Sequence, residues 1–131
     1  MSEETARLME LARQVAERAY APYSQFRVGA VVVGADGSEH TGANVENAAY
    51  GSTVCAEANA ITTAVSAGVR DIDTVVVAGP DGVECYPCGN CRQLMQEFGV
   101  REVIVQDGEG GYRVHSCQEL LPHSFGPQSL E

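Results

Sequence analysis

The sequence predicts an α/β fold, a three-layer α/β/α sandwich around a central mixed five-stranded sheet. Three observations carry this expectation. Helical and strand patterns follow one another in the order α-β-β-α-β-α-β-β-α. Thr74 to Ala78 is a short, continuously apolar run, the kind buried on both faces of a sheet. Asp36-Gly37, set between two extended segments, is a strong hairpin signal. With 131 residues and 44% apolar content, the chain suits one compact domain, 1–131, with a real core.

The elements are justified in order. Residues 3–19 read as an amphipathic helix, because Leu8, Leu11, Ala12, Val15 and Ala19 recur at helical spacing. Ser2 suits the N-cap, and Glu3 and Glu4 suit the positive end of the helix dipole. Ala21-Pro22 stops the helix, since proline restricts the residue before it. Phe26 to Val33 is rich in β-branched residues and reads as a strand, with 38–45 returning after the Asp36-Gly37 turn. A helix follows from Val54 to Ala67, capped by Ser52 or Thr53 and stopped by Gly68. After the strand Thr74–Ala78 comes a loop through Pro80, Asp81 and Gly82. Pro87 opens a third helix over 88–98, closed by Gly99. Glu102 to Gln106 is a strand, Gly108, Gly110 and Gly111 mark a turn, and Tyr112 to Val114 is a short last strand. Ser116-x-x-Glu119 is a capping box before a final helical turn.

Composition narrows the function classes. Eight Arg, no Lys and 18 acidic residues give a net charge of −10, which repels polyphosphates and argues against nucleic acid as a partner. No apolar run approaches the roughly 20 residues needed to span a bilayer. The start Met-Ser-Glu-Glu lacks the features of a signal peptide. Cysteine is odd in number, five in all, and Cys85, Cys88 and Cys91 fall close together. That pattern fits a metal site in a reducing cytoplasm better than a disulfide framework.

The chemistry concentrates in two short segments, Cys55-Ala56-Glu57 and Pro87-Cys88-Gly89-Asn90-Cys91, each at a helix start. Helix N-termini carry unpaired N–H groups and a positive dipole end, which favour thiolate. Two such starts aimed at one point would deliver Cys55, Cys88 and Cys91 to one ion. Zinc takes such soft ligands, and three protein ligands leave a fourth position open, the mark of a catalytic site. Glu57, two residues after a ligand, is placed to move a proton there without binding the metal. The bland alternative is a closed four-thiolate structural site that also uses Cys85; Glu57 would have no use in it. Cys117 reads as a small buried apolar residue.

At these residues the chain resembles the cytidine deaminase family, of the small homotetrameric, three-cysteine type. The resemblance runs through Tyr20-Ala21-Pro22-Tyr23-Ser24, Phe26-Arg27-Val28-Gly29-Ala30, Asn44-Val45-Glu46-Asn47-Ala48, the two cysteine segments with Arg92-Gln93, Glu119-Leu120-Leu121-Pro122, and Ser124-Phe125-Gly126-Pro127. It implies zinc held by Cys55, Cys88 and Cys91, with Glu57 shuttling protons during hydrolytic deamination of cytidine or deoxycytidine. It implies that Asn44 and Glu46 bind the ribose 3′-hydroxyl, that Phe26 packs beside the base, and that the Ala56 N–H holds the base carbonyl. Ala48 and Tyr50 would lie near a subunit boundary, and Phe125 would reach a neighbouring subunit's site and stack on the pyrimidine. The expected assembly is therefore a homotetramer with active sites at subunit boundaries, acting on a free pyrimidine nucleoside.

One departure stands out. The family usually has Arg directly after Cys-Ala-Glu, where this chain has Ala58. Three thiolates leave Zn²⁺ with net negative charge, and that Arg offsets it. Arg92, the helix dipoles and backbone N–H groups are the expected substitutes. The alternatives are a deaminase of a related aminopyrimidine, such as a blasticidin-type antibiotic, a polynucleotide-editing deaminase, which needs a basic groove, and a non-catalytic zinc-stabilised binding module.

Overall fold

A computed structural model describes residues 2–131. Its elements are α1 (Glu3–Ala16), β1 (Gly29–Gly34), β2 (Glu39–Ala43), α2 (Ala56–Ser66), β3 (Ile72–Ala78), α3 (Gly89–Glu97), β4 (Glu102–Gln106), β5 (Tyr112–Ser116) and α4 (Cys117–Leu120). One five-stranded sheet runs β2-β1-β3-β4-β5. β3 and β4 are parallel, joined by the α3 crossover, and every other pairing is antiparallel, so the sheet is mixed as expected.

The period-2 alternation of the inner strands sorts the core into two layers. Val31, Val76, Ala78 and Ile104 point to one face and pack with Leu8, Met9 and Ala12 of α1. Ala30, Val32, Val75, Val77, Val103 and Val105 point to the other and pack with Ala60, Ile61 and Ala64 of α2 and Cys91 and Met95 of α3. β3 lies at the centre, covered on both sides, which is why Thr74–Ala78 could be so uniformly apolar. Each fully buried valine stabilises the fold by about 1.5–2 kcal/mol.

Turn chemistry sets the ends. Gly37 takes φ 87° in the β1–β2 turn, a conformation open to glycine without penalty. Ser2 caps α1 through a bond from the Thr5 N–H, and the Ser116–Glu119 capping box opens α4. Cys117 is buried. Gly42 matters for the site: a Cβ there would sit 2.4 Å from the Ala60 nitrogen and 2.8 Å from the Ala56 carbonyl oxygen. Only glycine lets β2 approach α2 so closely.

Several boundaries differ from the sequence reading, each for a local reason. α1 ends at Ala16, because residues 17–19 switch to tighter i→i−3 bonds, such as Arg18 N–H to the Val15 carbonyl. Phe26 to Val28 are not part of β1. The Asn44 side chain takes their backbone groups instead: its Oδ1 accepts the Val28 N–H at 2.8 Å and its Nδ2 donates to the Phe26 carbonyl at 2.9 Å. α2 starts at Ala56 rather than Val54, because Val54 pairs with Val45 in an isolated antiparallel bridge. Its N-cap is Cys55, in place of Ser52 or Thr53. Pro87 stands one residue before the α3 N-cap, which is Cys88.

Candidate metal and deaminase site

The two helices on the second face begin at the same point. Cys55 and Cys88 are their N-caps, both in extended backbone conformation, and Cys91 sits in the first turn of α3. The Cys55 and Cys88 sulfurs are 3.7 Å apart, and those of Cys88 and Cys91 3.6 Å. All three lie within 4.8 Å of one another. A tetrahedral zinc ion with Zn–S bonds of about 2.3 Å separates its sulfurs by about 3.8 Å, so the donor set and its spacing fit that ion. Among the described residues no fourth His, Cys, Asp or Glu joins the group, and Cys85 stays outside it.

Burial grades the trio: Cys91 is buried, Cys55 half-buried and Cys88 exposed. Desolvation pushes the thiols of Cys91 and Cys55 up, with the Glu57 carboxylate adding to the rise. Cys88 differs. Partial burial opposes its thiolate, but the Cys91 N–H, the neighbouring thiols and the Asn90 N–H outweigh it, and the group lies below the usual thiol range. So backbone N–H groups at the start of α3 do favour negative charge on sulfur. Cys85 is pushed up to about 11 by burial, then by the charges of Glu57 and Cys55.

Glu57 lies in the first turn of α2 and is 4% exposed. Burial pushes its carboxyl above the ordinary range. A carboxyl so placed has a proton affinity above that of an exposed glutamate. Ala56, the first residue of α2, presents a backbone N–H with no intrahelical acceptor.

Glu46 and Tyr50 line an open cleft of about 330 Å³ with Tyr23, Ser24, Asn47 and Thr53, and the three cysteines do not line it. Glu46 Oε1 accepts the N–H groups of Tyr23 and Ser24 at 2.9 and 3.1 Å, and its Oε2 accepts the Ser24 hydroxyl. Tyr23 meets Tyr50 edge to face, with ring centroids 5.8 Å apart. Phe26 and Ala48 are exposed. Tyr50 and Phe125 are 74% and 60% exposed in the isolated chain. The tail carrying Phe125 is tied to α3, where Gln93 Nε2 donates to the Phe125 carbonyl at 2.7 Å.

One expected substitute for the missing arginine is corrected. Ala58 is buried, and Arg92 does not turn to the sulfurs. Its Nε donates to the Pro87 carbonyl at 2.8 Å and its Nη1 to the Leu120 carbonyl at 2.9 Å. Tyr23, Ser24, Thr53, Tyr86 and His115 were not marked as functional by the sequence. The first two sit within a quoted motif; the meeting of Tyr86 with His115 has no local signal.

A helix-flanked mixed sheet with three thiols and a buried carboxyl at two helix starts defines a zinc-dependent deaminase class of site. Residues 2–107 match the sequence family described as "Cytidine and deoxycytidylate deaminase zinc-binding region", and the chain belongs to that family. Cys55, Cys88, Cys91 and Glu57 lie within the match, and Phe125 lies beyond it. The cytidine deaminase of Halalkalibacterium halodurans is 41% identical over 125 residues, 94% of this chain and 95% of that protein. The crystal structure of cytidine deaminase from Burkholderia pseudomallei superposes with a TM-score of 0.86 at 43% identity, covering 95% of this chain and all of that one. That of the Mycobacterium tuberculosis enzyme gives 0.83 at 36% identity, over 95% of this chain and 99% of the other.

Proposed function

We propose that this chain hydrolyses cytidine and deoxycytidine to uridine and deoxyuridine with release of ammonia. The observation that carries the reading is the convergence of three thiols at tetrahedral spacing with one buried carboxyl two residues from the first of them. Cys55, Cys88 and Cys91 would hold zinc. When bound, the ion supplies Lewis acidity that draws a water molecule toward ionisation near neutral pH. Glu57 takes up the proton that water gives away and delivers it to N3 of the base. The water oxygen would bond to C4, and Glu57 would then carry that oxygen's remaining proton to the amino nitrogen, so that the C4–N bond breaks, ammonia leaves and a carbonyl remains at C4. Burial suits Glu57 to this work, since it raises the carboxyl's proton affinity.

Around that centre, Ala56 N–H would take the base carbonyl, Phe26 would pack beside the base, and Asn44 and Glu46 would meet the ribose 3′-hydroxyl. A carboxylate in the sugar cleft and a net charge of −10 favour an uncharged nucleoside over a nucleotide or polynucleotide. The exposure of Tyr50 and Phe125 supports a homotetramer in which Ala48, Tyr50 and Phe125 lie at subunit boundaries. Among the described residues no helix is long and apolar enough to cross a membrane. Five unpaired cysteines support a cytoplasmic, reducing location.

The direct test follows the cytidine absorbance band and ammonia release with purified, zinc-loaded protein. Loss of the band that stops on chelation and returns with zinc supports the reading. A zinc-loaded protein that leaves cytidine and deoxycytidine intact refutes it.

A further inference from the structure

The three sulfurs are not held alike. Cys91 is fixed by core packing and Cys55 is half-buried, but Cys88 is exposed, so something other than packing must fix where its backbone runs. The edge strand β5 supplies it. Arg113 and His115 stand opposite Val105 and Val103 of β4, on the face that carries α2 and α3. Two residues apart on the strand, they engage two residues equally far apart on the loop before Pro87. Arg113 Nη1 lies 3.2 Å from Glu84 Oε2, and the Tyr86 hydroxyl lies 3.0 Å from His115 Nε2. The two rings also pack, with centroids 5.3 Å apart.

His115 is itself anchored. Its Nδ1 lies 3.2 Å from Glu119 Oε1, the same oxygen that accepts the Ser116 N–H at 2.9 Å. A carboxylate only accepts, so Nδ1 carries the hydrogen. In that tautomer Nε2 is the acceptor for the Tyr86 hydroxyl. The bonds run one way, Tyr86 to His115 to Glu119. Arg92 closes the circuit, joining the Leu120 carbonyl of α4 to the Pro87 carbonyl. Tyr86 and Pro87 are thereby clasped from two directions, and the next residue is Cys88.

We propose that Tyr86, His115 and Glu119 are positioning residues that fix the Cys88 sulfur relative to Cys55 and Cys91; this rests on the zinc reading above. The clasp acts through backbone placement and touches neither substrate nor metal. Breaking it leaves the three sulfurs present but lets Cys88 wander, so the ion is held less long and its electronic setting is less uniform.

The test compares zinc-loaded wild-type protein with Tyr86→Phe, His115→Ala, the double variant and His115→Gln. Zinc release to an excess chelator is timed, and kcat, KM and Tm are measured alongside. One hydrogen bond's worth of restraint predicts release roughly three- to tenfold faster in each single variant. kcat falls while KM for cytidine stays near wild type. The double variant is no worse than either single, because both cut the same chain. His115→Gln, whose amide can both donate and accept, recovers part of the slow release. Wild-type protein that holds zinc while the variants release it at the wild-type rate overturns the clasp alone. Additive losses that track Tm overturn it too, since they mark general destabilisation. Wild-type protein that binds no zinc sinks the ligand reading itself.

Discussion

Glu46 and Ser24 meet twice: Glu46 Oε1 accepts the Ser24 N–H at 3.1 Å, and Oε2 accepts the Ser24 hydroxyl. The Ser24 hydroxyl holds the Glu46 carboxyl below its ordinary range, the slight burial opposes this, and the Tyr23 and Ser24 N–H groups add to the lowering. A folded-state value below the unfolded one gives stability that is present above the unfolded value and lost as pH falls through the folded one. The contact should therefore persist from neutrality through the ordinary glutamate range and fail only at a pH below it. Amide NMR of Tyr23 and Ser24 checks this: their resonances should stay fixed down to that range and then shift together.

Glu57→Gln keeps size and polarity but removes the carboxyl proposed to carry protons. Turnover of cytidine should drop by about 10²–10⁴-fold or more. Zinc content and Tm should stay near wild type, because Glu57 is not among the three clustered donors. Steady-state kinetics with metal analysis on the same sample read both halves of the expectation.

Gly42→Ala tests how the fold sets the site. The added methyl would overlap the Ala56 carbonyl and the Ala60 nitrogen, so α2 must move away from β2. That helix carries Glu57 and is capped by Cys55. Overpacking of this kind costs about 1–3 kcal/mol, measurable by urea unfolding. Zinc release should quicken in the same variant.

Ala58→Arg probes the departure from the family pattern. A guanidinium near three thiolates offsets their charge and lets the site acidify water more readily. The pH–rate profile should move to lower pH and kcat should rise. Ala58→Met adds bulk without charge at the same buried position and should do neither. A profile unmoved by arginine would mean that the N–H groups at the start of α3 already supply the needed compensation.

Local chemistry made much of the fold legible. β4 keeps the predicted bounds Glu102–Gln106, and the Ser116–Glu119 capping box opens α4 as its spacing required. What the sequence could not show came from partners far along the chain. Phe26 to Val28 look like strand, yet the Asn44 amide claims their backbone groups before a ladder can form. Val54 looks helical, yet Val45 pairs with it. In the site, the meeting of the cysteines could be anticipated because each segment reads as a helix start. The Tyr86–His115 contact could not, since the two stand 29 residues apart and only the β4–β5 pairing brings them together.

Cys55 and Cys88 are separated by 33 residues, and the stretch between them contains all of α2 and β3. An ion gripping both sulfurs is thus a cross-link across the middle of the sandwich. Because the folded chain gathers these sulfurs and the unfolded chain does not, binding of the ion stabilises the folded state. Stripping the ion should therefore do more than silence the chemistry: it should shorten the lifetime of the folded chain and expose α2 and the central strand to proteolysis.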